Sequence, residues 1–374
     1  MQTDYAKPFS ADSHTIESPD IYQNYSSAKF KDRAPKLIHD NEWGAVYMVE
    51  GIAKPVPIGR VCMADLAVEE RYAKRARPFS EMPTAGYRAK DRLVAQDRDG
   101  VTGEVIYPTA GMVICQHTDP DYRYEMLWAY NRWLQEFCNG SERLIGIPQI
   151  AFRSVDDAIK ELKEIKRMGF RGAMLPGDPA TEEDYDDPSF DKFWAAAVEV
   201  DLPLSFHSLT SGRQGNVLQK IAQRGSSPLS GLTHIARSNQ DFINMMIFGG
   251  VFDRFPALKL VCVEADASWA PHLMMKMDQY IVTMRDLTGA RKLSRKPSEM
   301  FKENVYMTFQ YDWLAFHFAD FMNPKRLMWA NDFPHTDGTW PNSQQLLREN
   351  LPVGKQEQNN RILSGNVKEL YKLA

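Results

Sequence analysis

The chain has 374 residues, 43% of them hydrophobic and 25% charged, with 45 basic side chains against 49 acidic ones and a formal charge of −4. Such a composition belongs to a folded globular protein and excludes a disordered one. The slight acidity gives no positive footprint for a phosphate backbone, so nucleic acid is not an expected partner.

Eight short apolar runs read as strands, at residues 8–14, 103–108, 144–151, 170–176, 202–207, 258–265, 305–310 and 326–333. Most are continuous rather than alternating, as in parallel strands covered on both faces. Amphipathic stretches separate them. The clearest is SVDDAIKELKEIKRM, residues 154–168, where Val155, Ala158, Ile159, Leu162, Ile165 and Met168 recur at helical spacing. Ser154 is placed to cap its start and Gly169 to end it. Eight βα units predict a (β/α)8 TIM barrel, one domain over residues 1–374. The competing open, doubly wound sheet lacks support, because no GxGxxG or GxxxxGK[ST] follows an early strand. Residues 27–99, turn-rich and charged, break the alternation and read as an insertion between the first and second strands, a cap or an oligomer contact. Residues 362–373 read as a closing helix.

The four cysteines contain no CxxC pair, so neither a disulfide framework nor a cysteine zinc site is expected. The N-terminus has an early acid and no apolar run, unlike a signal peptide, and no window approaches the length of a membrane span. A cytoplasmic protein with no membrane partner is the expectation.

In a barrel of this kind the active site gathers at the C-terminal ends of the strands. There the sequence puts Asp12 and His14 in the first run, His207 at the end of LPLSFHS, Glu264 after LKLVCV, and Asp332 with His335 in WANDFPH. A single strand-end histidine is commonly hydrogen-bonded structure, a lone aspartate a loop cap, and a lone glutamate an arginine's partner. Four strands ending together in imidazoles and carboxylates predict a nitrogen/oxygen metal site instead.

The segments ADSHTIESPDIY, AYNRWLQEFC, RLIGIPQI, LPLSFHS, MMIFGGVFDRFPALKLVCVE, WANDFPH and ILSGNVKELYKL resemble the amidohydrolase-related family. This is the branch of the amidohydrolase superfamily that includes aminocarboxymuconate-semialdehyde and resorcylate type decarboxylases. The resemblance runs from about residue 8 to the end, the insertion excepted. It implies that Asp12 and His14 stand where the superfamily often has His-x-His, that His207 is the strand-five ligand, and that Asp332 binds metal and handles the proton of an attacking water. Glu264 departs from the histidine of the decarboxylase relatives; it serves either as a further, bridging ligand or as an acid/base of raised pKa. The strand-four lysine that bridges two metals elsewhere is missing, and Glu264 or Glu17 is available in its place. One or two divalent ions, Zn, Mn or Fe, suit the set.

Among weaker candidates, His234 is a possible extra ligand or catalytic group, Arg213 and Arg237 are possible clamps for a substrate carboxylate, and His335 and Glu17 are supports around the ligands. The first functional expectation is hydrolysis of a small, carboxylate-bearing substrate by metal-activated water. The alternatives are non-oxidative decarboxylation of an aromatic or dienoic acid, an O2-dependent hydroxylase with a dinuclear Fe/Mn centre, and a catalytically silent partner subunit. A homo-oligomer is expected, with a hetero-oligomer of related subunits as the other arrangement.

Overall fold

The predicted cap at residue 154 forms: Ser154 Oγ accepts from Asp157 N at 3.1 Å and opens the helix Val155–Arg167. Gly169, with φ +90°, ends it in the left-handed conformation that glycine adopts without strain. Such βα steps repeat around the structure, a computed structural model that describes residues 5–211, 227 and 229–374.

Nine strands are defined among these residues. β1 (Lys36–Asp40) and β2 (Gly44–Met48) form an antiparallel hairpin. β3 (Glu104–Ile106) pairs in parallel with β4 (Leu144–Gly146). The other five, β5 (Ala173–Leu175), β6 (Leu204–His207), β7 (Leu260–Val263), β8 (Val305–Phe309) and β9 (Leu327–Trp329), lie side by side in that order, all parallel.

Two seams complete the ring. Between β4 and β5, Ile150 N donates to Met174 O at 2.9 Å and Met174 N to Pro148 O at 2.8 Å. The expected first strand is paired through single bridges instead of a ladder: Ser10 with Glu104 and His14 with Tyr107 on the β3 side. On its other side Ala11 N donates to Trp329 O at 3.0 Å. The strands are shorter than their apolar runs because polar or proline residues interrupt them. Pro148, with no N–H to give, follows closely on β4.

Alternation along the strands separates two apolar layers. Val105, Tyr107, Met174, Val261, Val263 and Met328 fill the barrel, while neighbours such as Ile106, Leu175, Leu260 and Cys262 face the surrounding helices. Residues 27–99 hold the β1–β2 hairpin, several short helices and the helix Ala89–Asp99. Part of this segment is tied to the loop after β9: Thr336 N donates to Val61 O at 2.7 Å and Ala64 N to Pro334 O at 3.2 Å. It is also tied to the turn after the first run, through Tyr47 Oη to Glu17 O at 2.9 Å. At the other end of the chain, the expected closing helix is split into a π-helical turn, Arg361–Gly365, and an α-helix, Asn366–Tyr371. Among the described residues no helix is long and apolar enough to cross a membrane.

Candidate metal centre

The C-terminal ends of the strands bring Asp12, His14, His207, Glu264, Asp332 and His335 to one place. Asp12 and His14, two residues apart on an extended segment, point to the same side. His207 closes β6, Glu264 is the first residue after β7, and Asp332 lies three residues past β9. Glu264 and Asp332 have φ of +53° and +55°, a conformation that costs a non-glycine residue roughly 1–2 kcal/mol. Backbone hydrogen bonds hold both: Glu264 N donates to Thr308 Oγ1 at 2.9 Å, and Asp332 N to Asp12 O at 3.1 Å.

His14 Nε2 lies 3.5 Å from Asp12 Oδ1 and 3.3 Å from Asp332 Oδ1. His207 Nε2 lies 3.6 Å from Asp12 Oδ1, and its Nδ1 3.3 Å from Glu264 Oε2. His335 Nδ1 lies 3.2 Å from Asp332 Oδ1, and its ring stacks on His14 with centroids 3.8 Å apart. Among the described residues two overlapping triads satisfy the spacing for a cation, Asp12–His14–His207 and His14–Asp332–His335.

The hydrogen bonds behind the rings fix which nitrogen is bare. His14 Nδ1 is 2.8 Å from Pro108 O, and a carbonyl only accepts, so Nδ1 carries the hydrogen and Nε2 offers a lone pair to the cluster. His207 Nδ1 faces Ser208 O at 3.1 Å in the same way, leaving Nε2 bare. For His335 the polarity is reversed. Thr109 Oγ1 gives its hydrogen to Thr15 O at 2.6 Å, so it accepts from His335 Nε2 at 3.0 Å, and Nδ1 is the nitrogen turned toward Asp332.

Both carboxylate oxygens of Asp12 and of Asp332, with His14 Nε2 and His207 Nε2, are buried and have no hydrogen-bond partner. Polar atoms buried in this way are expensive unless something binds them. Imidazole nitrogens and carboxylates gathered in two triads that share His14 are donors that a divalent transition metal takes. These residues therefore fit the ion that the sequence anticipates.

The electrostatics agree. Burial pushes the Asp12 carboxyl well above its ordinary range, and burial followed by the charge of Asp12 does the same to Asp332. Burial, then the neighbouring His335 and His207, holds His14 well below the usual imidazole range. Burial likewise lowers His335 to about 4. Burial and the charge of Asp332 push Glu264 up to about 8. A cation at this point offsets what burial and like-charge repulsion cost the acids.

Glu17 belongs to neither triad: its Oε1 accepts from Thr109 N at 2.9 Å and Gly111 N at 3.2 Å, and so braces the loop that carries the partner of His335, while its Oε2 is buried without a hydrogen-bond partner. His234 and Arg237 are exposed, on the turn before and at the first residue of the helix Arg237–Phe248, and make no contact with the cluster among the described residues. Arg213 lies outside the described residues. The sequence reading missed Pro108, Thr109 and Ser208. Their part comes from hydrogen bonding to the histidines, for which a single sequence holds no signal.

A buried aspartate/histidine donor set at the strand ends of an eight-membered parallel barrel defines a class of metal-binding barrel enzymes. Residues 76–373 match the family model described as Amidohydrolase, and the chain belongs to that family. The match begins inside the insertion, so the placing of Asp12 and His14 rests on the geometry above. Along its whole length the fold is similar to an amidohydrolase from Mycobacterium avium subsp. paratuberculosis (19% identity, TM-score 0.78, 100% of this chain and 99% of that one). It is also similar to IDCase from Metarhizium anisopliae (17%, 0.71, 100% and 98%). A third likeness is to 5-carboxyvanillate decarboxylase from Novosphingobium aromaticivorans, complexed with manganese and 4-hydroxy-3-methoxy-5-nitrobenzoic acid (18%, 0.67, 100% and 100%). At these identities the likeness is one of fold.

Proposed function

We propose that this protein is a metal-dependent carboxy-lyase that removes CO2, without oxidation, from a small aromatic or dienoic acid. The observation that carries the reading is the division of labour among the acids. Asp12 and Asp332 are fully buried with unpartnered oxygens, as ligands are, whereas the Glu264 side chain keeps 13% of its surface open at the edge of the cluster. Asp12, His14, His207 and Asp332 would hold the ion, with manganese the first candidate because the carboxyvanillate decarboxylase of similar fold carries it. The ion supplies an electrophilic anchor for the substrate carboxylate and a neighbouring oxygen.

Decarboxylation breaks the bond from the carbon to its carboxylate, releases CO2 and leaves that carbon in need of a proton. Glu264 is placed to give it. Its Oε2 is fixed by Ser208 Oγ at 2.8 Å, and burial raises its pKa, which favours the protonated carboxyl in the metal-free site. Solvent at the open edge then restores the proton. The overlap of the two triads at His14 suits one ion or a close pair, so metal count is part of the test.

The experiment is metal analysis followed by CO2 release from a panel of hydroxybenzoic and dienoic acids, before and after chelation and with Mn2+ restored. The expected result is one ion per chain and CO2 release that disappears on chelation and returns with Mn2+. Amide or lactone cleavage without CO2 would move the assignment to a hydrolase. Two irons with O2 consumption would move it to a hydroxylase.

A further inference from the structure

Beside the cluster lies an arginine that none of the chemistry above uses. Arg92, on the helix Ala89–Asp99, is fully buried. Its Nη1 donates to the carbonyl of His14 at 2.7 Å, its Nη2 to the carbonyl of Phe333 at 3.2 Å, and its Nε to the Glu104 carboxylate. The guanidinium also sits over the Phe333 ring, 4.7 Å from its centroid. His14 is a proposed ligand and Phe333 directly follows another, Asp332.

The two segments are far apart in sequence and are stitched together directly, from Ala11 N to Trp329 O at 3.0 Å and from Asn331 N to Ser10 Oγ at 2.9 Å onward. His14 N donates to Phe333 O at 2.7 Å, so that carbonyl receives both His14 and Arg92, and Asp332 N donates to Asp12 O. Glu104, which fixes the third edge of the guanidinium, also accepts from Gln96 and from Asn331 Nδ2, the residue before Asp332. Asn331 Oδ1 in turn accepts from Ser10 Oγ, two residues before Asp12. The branch through Glu104, Asn331 and Ser10 runs from beside Asp332 to beside Asp12, and all of it is buried.

We infer that Arg92 is a positioning residue for the metal site: its planar fork fixes the spacing between the Asp12–His14 segment and the Asp332 turn. A rigid three-way donor is needed because Asp332 holds a left-handed backbone, which persists only where its surroundings over-determine it. Lysine keeps the charge for Glu104 but is a single point donor and cannot serve two carbonyls and a carboxylate in one plane. The inference rests on the metal reading of the site and is independent of which reaction the site performs.

The test measures Mn2+ affinity by titration calorimetry, beside the metal-free unfolding midpoint, for wild type, R92K and the charge-free double variant R92M/E104M. The double variant removes both buried charges together and so avoids stranding Glu104. The expected result is that Mn2+ binding weakens about 10- to 100-fold in both variants, the range for groups that orient metal ligands, while R92K still folds cooperatively without metal, at a lowered midpoint. A folded R92K that binds Mn2+ as wild type does overturns the inference, as does an R92K that fails to fold, which would make Arg92 a general stabiliser. A wild-type chain that binds no Mn2+, Zn2+ or Fe2+ overturns the metal reading itself, and shows it before any substitution is compared. Metal-binding wild type without CO2 release sinks only the carboxy-lyase assignment and leaves the affinity comparison to decide for or against Arg92.

Discussion

Replacing Glu264 by glutamine keeps its size and its bond to Ser208 while removing the charge at the edge of the cluster. In the metal-free protein the Glu264 carboxyl titrates at about 8 against an ordinary 4.5, chiefly because it is buried and secondarily because Asp332 repels its anion. Between those two pH values the folded protein keeps a proton that the unfolded chain has released, so stability falls as pH rises through the window. The full shift, 8 minus 4.5 at 1.36 kcal/mol per unit, corresponds to about 5 kcal/mol by pH 8. Water at the open edge, where 13% of the side chain is accessible, reduces this to a fraction of that figure. Glutamine has no proton to keep. Urea unfolding of metal-free wild type and E264Q from pH 5 to pH 8 should therefore show two curves that diverge, with E264Q gaining relative stability at the alkaline end. Parallel curves would mean that the carboxyl is ordinary and the proton-donor role has no basis. With Mn2+ present, E264Q should retain its ion and lose about 10²- to 10⁴-fold in turnover, the usual worth of a general acid. Loss of the ion instead would make Glu264 a ligand.

Asp332→Asn and His207→Ala should each cost both the ion and the activity. Asparagine tolerates the φ of +55° at position 332, so D332N changes the donor and spares the turn; a variant of either kind with full metal content and turnover would refute the ligand set. Away from the site, the half-exposed Asp201 carboxylate bonds Lys259 and Lys372 and is pulled down to about 2 by them. Its stabilisation is present above the ordinary carboxylate range and lost as pH falls toward 2. Because solvent screens the pair, Asp201→Asn should cost less than about 1 kcal/mol at pH 7; a loss undiminished at pH 2 in urea unfolding would contradict the charge assignment.

The barrel was legible because buried parallel strands leave continuous apolar runs, and seven of the eight runs contain a strand. The first run does not, since Asp12, Ser13 and His14 face the cluster and the barrel rim and leave only isolated bridges. The β1–β2 hairpin was missed because KLIHDNEWGAVYM mixes charged and apolar residues on a half-exposed sheet, where Ile38 and Met48 remain exposed. Of the site, Asp12, His14, His207, Glu264 and Asp332 could be read from strand ends alone. His335, read as a support, meets Asp332 Oδ1 through Nδ1 at 3.2 Å, with Thr109 holding its other nitrogen. His234 looked like a donor only through its residue type; the chain keeps it on the surface. Arg92, read as part of a charged insertion, is fully buried, and two of its three acceptors are backbone carbonyls that leave no trace in a sequence.

The seam that closes the ring also sets an order of assembly. Asp12 and His14 belong to a segment held by Trp329 and Phe333 on one side and, through Phe9 N, by Leu363 O at 2.8 Å. These partners are more than three hundred residues downstream in the chain. Contacts of that sequence separation form late, after nearer strands have paired. The first ligands to be synthesised thus complete their contacts only once the last strand is in place, and tight ion binding reports a finished barrel. Metal uptake during refolding would time the final closure of the ring rather than the appearance of its helices.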